Sequence, residues 1–182
     1  MSKVAVFLAD GFEEVEGLTA IDLMRRAGIE VTTVSVKDDP FINASHKITI
    51  KADTVIGDFD FDVDMLVLPG GMPGTINLGN TKKLTDKIIE FNNAGKYVAA
   101  ICAAPTVFGS LGILNGKRAC CYPGMEDGLT GAVKSTANVE VDGNIITSRG
   151  VGTAIDFALA IITELVGGQK ADEIAKGIVY KA

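Results

Sequence analysis

In "YVAAICAAPTV", residues 97–107, a cysteine sits where an apolar run stops reading as a strand and starts reading as a helix. Tyr97, Val98, Ala99, Ala100 and Ile101 form a short run after Gly95 and Lys96, with the β-branched and aromatic types that favour a buried strand. Pro105 suits a first helical turn, because its missing N–H would have had no intrahelical partner there. Cys102 therefore falls at the junction, beside unpaired N–H groups that favour a thiolate. A second candidate is Glu16, in "EEVEGLTAIDLMRRAG". Ala20, Leu23, Met24 and Ala27 follow it at the spacings of one helix face, so a carboxylate begins an apolar stripe. Such an acid either complements the positive helix end, as Glu13 and Glu14 would, or turns inward, and the periodicity leaves Glu13 as an alternative inward residue. A third segment, "PGGMPG" at 69–74, is either a tight turn or a place where glycines let backbone N–H groups approach a reacting oxygen.

These residues lie far apart in the chain, and an alternation of strands and helices would bring them together. "KVAVFL" reads as a strand, "EEVEGLTAIDLMRRAG" as a helix ended by Gly28, and "EVTTVSV" as the next strand. A less regular region from Asp38 to Asp62 contains a short hairpin around "KITIKA". "DMLVLP" is another buried strand, and "TKKLTDKIIEFNNAG" a helix. The cysteine-bearing strand then leads into a helix from about Ala103 to Leu111. "VEVDGNIITS" is predicted as a hairpin around Asp142-Gly143, "TAIDFALAIITELVGG" as a nearly all-apolar helix, and "ADEIAKGI" as a short final one. The order implies an α/β chain with an open, mostly parallel sheet covered on both faces. Sites in such sheets form outside the carboxyl ends of the strands, where Asp10-Gly11, Pro69-Gly70-Gly71 and Cys102 all fall.

With 182 residues, 47% hydrophobic and 22% charged, and with no linker or repeat, one domain over 1–182 is expected. The net charge of −6 argues against nucleic acid as the main partner, since phosphate binding needs clustered Lys and Arg. The apolar run Val4–Ala9 is too short for a signal segment or a membrane span, which predicts a soluble, cytoplasmic protein. Cys102, Cys120 and Cys121 are an odd set, and the adjacent pair would close a strained ring, so a reducing compartment fits. His46, in the polar stretch "NASHK", reads as an ordinary surface residue, and no cysteine spacing resembles a zinc knuckle, so no metal is expected.

"GFEEVEGLTAIDLMRRAGIEVTTVSV", "LVLPGGMPGTINL", "VAAICAAPTVF" and "ITSRGVGTAIDFALAII" together resemble the ThiJ/PfpI superfamily, in particular its DJ-one branch. The resemblance covers most of the chain in the expected order. It implies a flavodoxin-like three-layer α/β/α sandwich, a homodimer, and a reactive cysteine on a strained strand-to-helix elbow. By motif, Cys102 would be the nucleophile and Glu16 the acid facing it. The backbone N–H groups of Gly71 and Ala103 would form an oxyanion pocket, with Gly70 and Tyr122 lining the site. "SRGVGT", residues 148–153, would line the site or the dimer seam, or would simply open the following helix.

An ionised Glu16 would oppose a thiolate at Cys102, whereas a protonated Glu16 would stabilise one by donating a hydrogen bond. The expectation is thus a protonated Glu16 at neutral pH and a Cys102 titrating below the usual thiol range, unlike Cys120 and Cys121. Two positions depart from sister branches. Ala103 follows Cys102 where the protease-like branch has a histidine, and Tyr122 stands where the DJ-one branch commonly has one. Tyr122 is expected to be a packed aromatic with a paired hydroxyl, and a phenol titrating near 10 is no base at neutral pH. Peptide hydrolysis therefore lacks its proton donor. Three functions follow: a cofactor-independent glyoxalase or deglycase acting on 2-oxoaldehydes such as methylglyoxal, or on glycated adducts; a redox sensor or chaperone whose cysteine becomes a sulfinate; and, least favoured, a cysteine protease or amidase.

Overall fold

The computed structural model describes residues 1–180. Its strands are β1 (Lys3–Leu8), β2 (Glu30–Ser35), β3 (Phe41–Asn43), β4 (Thr49–Lys51), β5 (Thr54–Val55), β6 (Met65–Leu68), β7 (Tyr97–Ile101), β8 (Arg118–Ala119), β9 (Val133–Lys134), β10 (Val139–Asp142) and β11 (Ile145–Ser148). Its α-helices are α1 (Glu14–Arg26), α2 (Gly74–Asn80), α3 (Lys82–Asn93), α4 (Pro105–Ser110), α5 (Ala154–Val166) and α6 (Gly168–Gly177).

Seven strands form the main sheet in the order β10-β11-β7-β6-β1-β2-β5. Every pairing in it is parallel except that of β10 with β11, the hairpin expected around Asp142-Gly143. Side chains alternate across the sheet, which explains why its central strands β1, β6 and β7, covered on both faces, are apolar beyond Lys3. Val4, Val6 and Leu8 of β1 pack with α1 and α5 on one face, while Ala5 and Phe7 pack with α3 and α4 on the other. Each large side chain buried this way contributes about 1.5–3 kcal/mol. The result is the flavodoxin-like three-layer sandwich that the sequence implies.

Helix α1 buries the stripe Glu16, Ala20, Leu23, Met24 and Ala27, and the chain leaves it through Gly28 at φ +82°. Glu13 caps its start, accepting the Val15 N–H at 3.4 Å. Strands β3 and β4 pair as the expected hairpin. Helix α4 is shorter than the predicted 103–111, because Ala103 and Ala104 belong to the turn after β7. Helix α6 starts at Gly168, ahead of the predicted Ala171. Helix α2 was hidden by its composition: Gly, Thr and Asn are poor helix formers, and burial of Leu78 holds it. Strand β5 and the β8–β9 pair, two residues per strand, are too short to show a period. Among the described residues no helix is long and apolar enough to cross a membrane.

Candidate active site

The carboxyl ends of β1, β6 and β7 meet at one edge of the sheet, and Cys102 is the first residue beyond β7. Its φ of +65° is left-handed, a conformation that costs a non-glycine residue on the order of 1–3 kcal/mol. Backbone bonds on both sides impose it. The Cys102 N–H donates to the Ser148 carbonyl at 3.0 Å, and the Cys102 carbonyl accepts from the Tyr122 N–H at 2.8 Å. The sulfur is half-buried, and the backbone amides of Gly71 and Ala103 lie near enough to favour its thiolate.

Glu16 is completely buried. Its Oε2 accepts the Gly70 N–H at 2.9 Å, and the carboxyl lies beside Cys102, the two side chains meeting over Gly70. Oε1 is buried with no hydrogen-bond partner among the described residues. The contact depends on glycine at position 70, where a Cβ would lie 2.5 Å from the Cys102 Cβ and 2.8 Å from Glu16 Oε2. Gly71, at φ +91°, is constrained as tightly: a Cβ there would lie 2.4 Å from the Glu13 nitrogen. The same loop is anchored to the start of α1 by the Glu13 N–H, which donates to the Gly70 carbonyl at 2.9 Å.

Burial raises the Glu16 carboxyl from 4.5 to about 7, against the bonds from Cys102 and Gly70 and with a small push from the Glu13 charge. Cys102 is pushed up to about 12, first by burial and then by the charge and hydrogen bond of Glu16, with the Gly71 and Ala103 amides pulling the other way. The expectation of a thiol titrating below its usual range is therefore corrected. The negative carboxylate opposes a second negative charge, so the pair keeps one shared proton once Glu16 has ionised. Cys120 and Cys121 are buried and also raised by that burial, Cys121 to about 11.

Around the sulfur lies a cavity of about 480 Å³ lined by Glu13, Glu16, Gly71, Cys102, Tyr122 and the 149–153 turn. Glu13 and Glu16 thus both face the site, one at its rim and one beneath it. Tyr122 is not the paired, packed aromatic expected: it is 51% exposed and its hydroxyl has no partner among the described residues. Its ring covers Gly150, where a Cβ would come within 3.4 Å of it. The 148–153 segment is a wall of the cavity as well as the approach to α5.

One pair lay outside the sequence reading. Glu14 is buried, and the exposed His46 binds it through the backbone N–H at 3.1 Å and Nδ1 at 3.1 Å. Burial would raise Glu14, but its bonds to the helix end and to His46 together hold it below the usual carboxylate range. His46 is a surface residue that fixes the start of α1 to the tip of the β3–β4 hairpin. An i, i+1 pair of acids gives no signal of which one is buried, and the hairpin partner is remote in sequence. Among the described residues, the ligand atoms of Glu13, Glu14 and His46 lie within 4.8 Å of one another, close enough to share a cation.

A parallel sheet whose strand ends present a strained cysteine to a buried carboxyl and two amides defines a flavodoxin-like protein with a cysteine elbow. The chain belongs to the DJ-1/PfpI family, whose model matches residues 2–164. It is 41% identical to "Protein dj-1beta" of Drosophila melanogaster over 98% of both chains. It is 38% identical to "Protein DJ-1 homolog B" of Arabidopsis thaliana, covering 98% of this chain but only 42% of that longer protein. A Caenorhabditis elegans relative, "Glutathione-independent glyoxalase DJR-1.2", is 30% identical over 90% of this chain and 88% of its own. Among solved structures, "Toxoplasma gondii DJ-1, oxidized" superposes with a TM-score of 0.96 at 35% identity, covering all of both chains.

Proposed function

We propose that this protein is a cofactor-independent glyoxalase or deglycase that acts on 2-oxoaldehydes through Cys102 and Glu16. The observation that carries the reading is the left-handed Cys102 set beside the completely buried Glu16 carboxyl in one cavity, where burial raises that carboxyl to about 7 and the Gly71 and Ala103 amides favour the thiolate. The relative named as a glutathione-independent glyoxalase supports it.

With methylglyoxal, the Cys102 sulfur attacks the aldehyde carbon. A C–S bond forms, the C=O electron pair moves to oxygen, and that oxygen takes the shared proton from Glu16. The resulting carboxylate removes the hydrogen of the same carbon as a proton, leaving an enediolate with its charge on the former ketone oxygen, and returns the proton to the neighbouring carbon. The enediol hydroxyl proton passes to the second oxygen, giving a lactoyl thioester. Water then cleaves the thioester to lactate and restores the thiol. The Gly71 and Ala103 amides hold the oxygen on which charge develops. No external oxidant enters, because one carbon is oxidised as its neighbour is reduced. Incubation with methylglyoxal should yield lactate that is absent in Cys102→Ser and reduced by about 10²-fold or more in Glu16→Gln. Equal turnover by wild type and Cys102→Ser would overturn the reading.

A second reading, a redox-responsive protein whose Cys102 rests as a sulfinate, has its own support. The unpartnered Glu16 Oε1 and the two amides are placed to bind added oxygens, and a solved relative is described as oxidized. Amide hydrolysis has less support, since Ala103 and Tyr122 stand where a histidine base would be needed and His46 does not line the cavity.

A further inference from the structure

Four arginines occur in the chain, and three of them face a carboxylate: Arg25 with Asp53 at 2.9 Å, Arg26 with Asp22 at 2.7 Å and Arg118 with Glu140 at 2.9 Å. Arg149 is the exception. Among the described residues no carboxylate lies within 4.0 Å of it, and its side chain makes one hydrogen bond, from Nη1 to the Thr136 carbonyl at 3.3 Å. Yet Arg149 lines the cavity around Cys102. It follows Ser148, whose carbonyl holds the Cys102 N–H. Its own N–H and that of Gly150 donate to Thr153 Oγ1 at 3.2 and 3.1 Å, which fixes the turn. An arginine without an acid, in a chain with six more negative than positive charges, needs an explanation that its neighbours do not provide.

The cavity offers one. At about 480 Å³ it is in the range of pockets that enclose ligands much larger than methylglyoxal, whose five heavy atoms would leave most of it empty. The other charge at its rim, Glu13, already has partners: Oε1 accepts the Val15 N–H at 3.4 Å, and Oε2 lies 3.7 Å from His46 Nδ1. At the rim, the charge left without an opposite partner among the described residues is that of Arg149, while Glu16 lies beneath it with Oε2 on the Gly70 N–H.

We propose that Arg149 is a specificity-determining residue that receives the carboxylate of a 2-oxoaldehyde whose aldehyde carbon sits at Cys102. The planar guanidinium fork matches a carboxylate. One cation opposite Glu13 suits a monoanion better than a phosphate dianion. The inference rests on the glyoxalase reading for its substrate class, but the anion subsite stands on the cavity alone, and two assays separate them.

The first compares kcat/KM for 4,5-dioxopentanoate with that for its methyl ester. Wild type should favour the acid, and Arg149→Gln should lower the acid-to-ester ratio about ten-fold, with Arg149→Lys between them. The second needs no turnover: alkylation of Cys102 by iodoacetate and by iodoacetamide, read by intact mass. The ratio of the two rates should fall by a similar factor in Arg149→Gln. A fall in the alkylation ratio without aldehyde turnover in wild type would keep the anion subsite and remove the glyoxalase reading. Turnover of both aldehydes with ratios unchanged in Arg149→Gln would keep that reading and overturn the inference. Should Arg149→Gln not fold, wild type at about 0.5 M salt gives the answer, because screening must erode the preference for the anion. An alkylation ratio indifferent to salt overturns the inference.

Discussion

Replacing Glu16 by Gln should remove a stability cost that grows with pH. The carboxyl is completely buried and titrates at about 7 instead of 4.5. The difference, 7 − 4.5 = 2.5 pH units, at about 1.4 kcal/mol per unit makes ionising it in the folded state cost about 3 kcal/mol. Between those two values the unfolded chain has released a proton that the folded chain still holds, so unfolding becomes easier as pH rises. The contribution of Glu16 is therefore complete below 4.5 and lost as pH rises through about 7. Gln keeps an acceptor for the Gly70 N–H and a donor toward Cys102, and has no proton to lose. Urea unfolding of both proteins from about pH 5 to about pH 8 isolates this group, since other titrations are common to both. The stability of the variant relative to wild type should increase across that window by up to about 3 kcal/mol and then level off. A difference independent of pH would show that Glu16 does not titrate there, and the shared-proton account would fail.

Gly70→Ala places a Cβ 2.9 Å from the Ile101 carbonyl as well as against Cys102 and Glu16, so it should destabilise by about 1–3 kcal/mol and abolish lactate formation; an unchanged melting temperature with full turnover would contradict the packing. Mild peroxide should add two oxygens to Cys102 and stop, as read by intact mass; a single oxygen, or passage to sulfonate at low dose, would count against the role of Glu16 Oε1 and the amides. The family resemblance implies a homodimer, so light scattering at micromolar concentration should give twice the 19.0 kDa chain mass, and a monomer would overturn it.

The parts of the site legible in the sequence were those written in local pattern. Cys102 announced itself through the change of period between β7 and α4, and Glu16 through four apolar residues at helical spacing. The glycines at 70 and 71 read equally as a turn or as an approach for backbone N–H groups, and the sheet order, with β6 between β1 and β7, put them beside Cys102. The chain could not show what depends on contact across long separations. The bond between Glu14 and His46 and, among the described residues, the lack of a hydroxyl partner at Tyr122 and of a carboxylate beside Arg149 are facts about neighbours. The direction of the Cys102 shift failed for the same reason: helix-end amides were visible, but the depth of burial that outweighs them was not.

The two titrations belong to one pair, and this changes what the thiol should do as pH rises. Below about 7 the pair holds two protons and the sulfur is a buried thiol. Above that value one proton remains, and it sits either on sulfur or on Glu16, the second arrangement being the nucleophilic one. The fraction in that arrangement is fixed by the pair and not by pH until the last proton leaves near 12. Cys102 alkylation by iodoacetamide should therefore rise through about pH 7 and then stay level, where an isolated thiol would keep gaining about ten-fold per unit up to its own pKa. Glu16→Gln removes the second site for the proton, so its rate should lose the inflection near 7 and climb steadily instead. A wild-type rate that climbs without a plateau would mean that Glu16 never takes the thiol proton, and the shuttle through which both the carbonyl and the peroxide chemistry run would have to be abandoned.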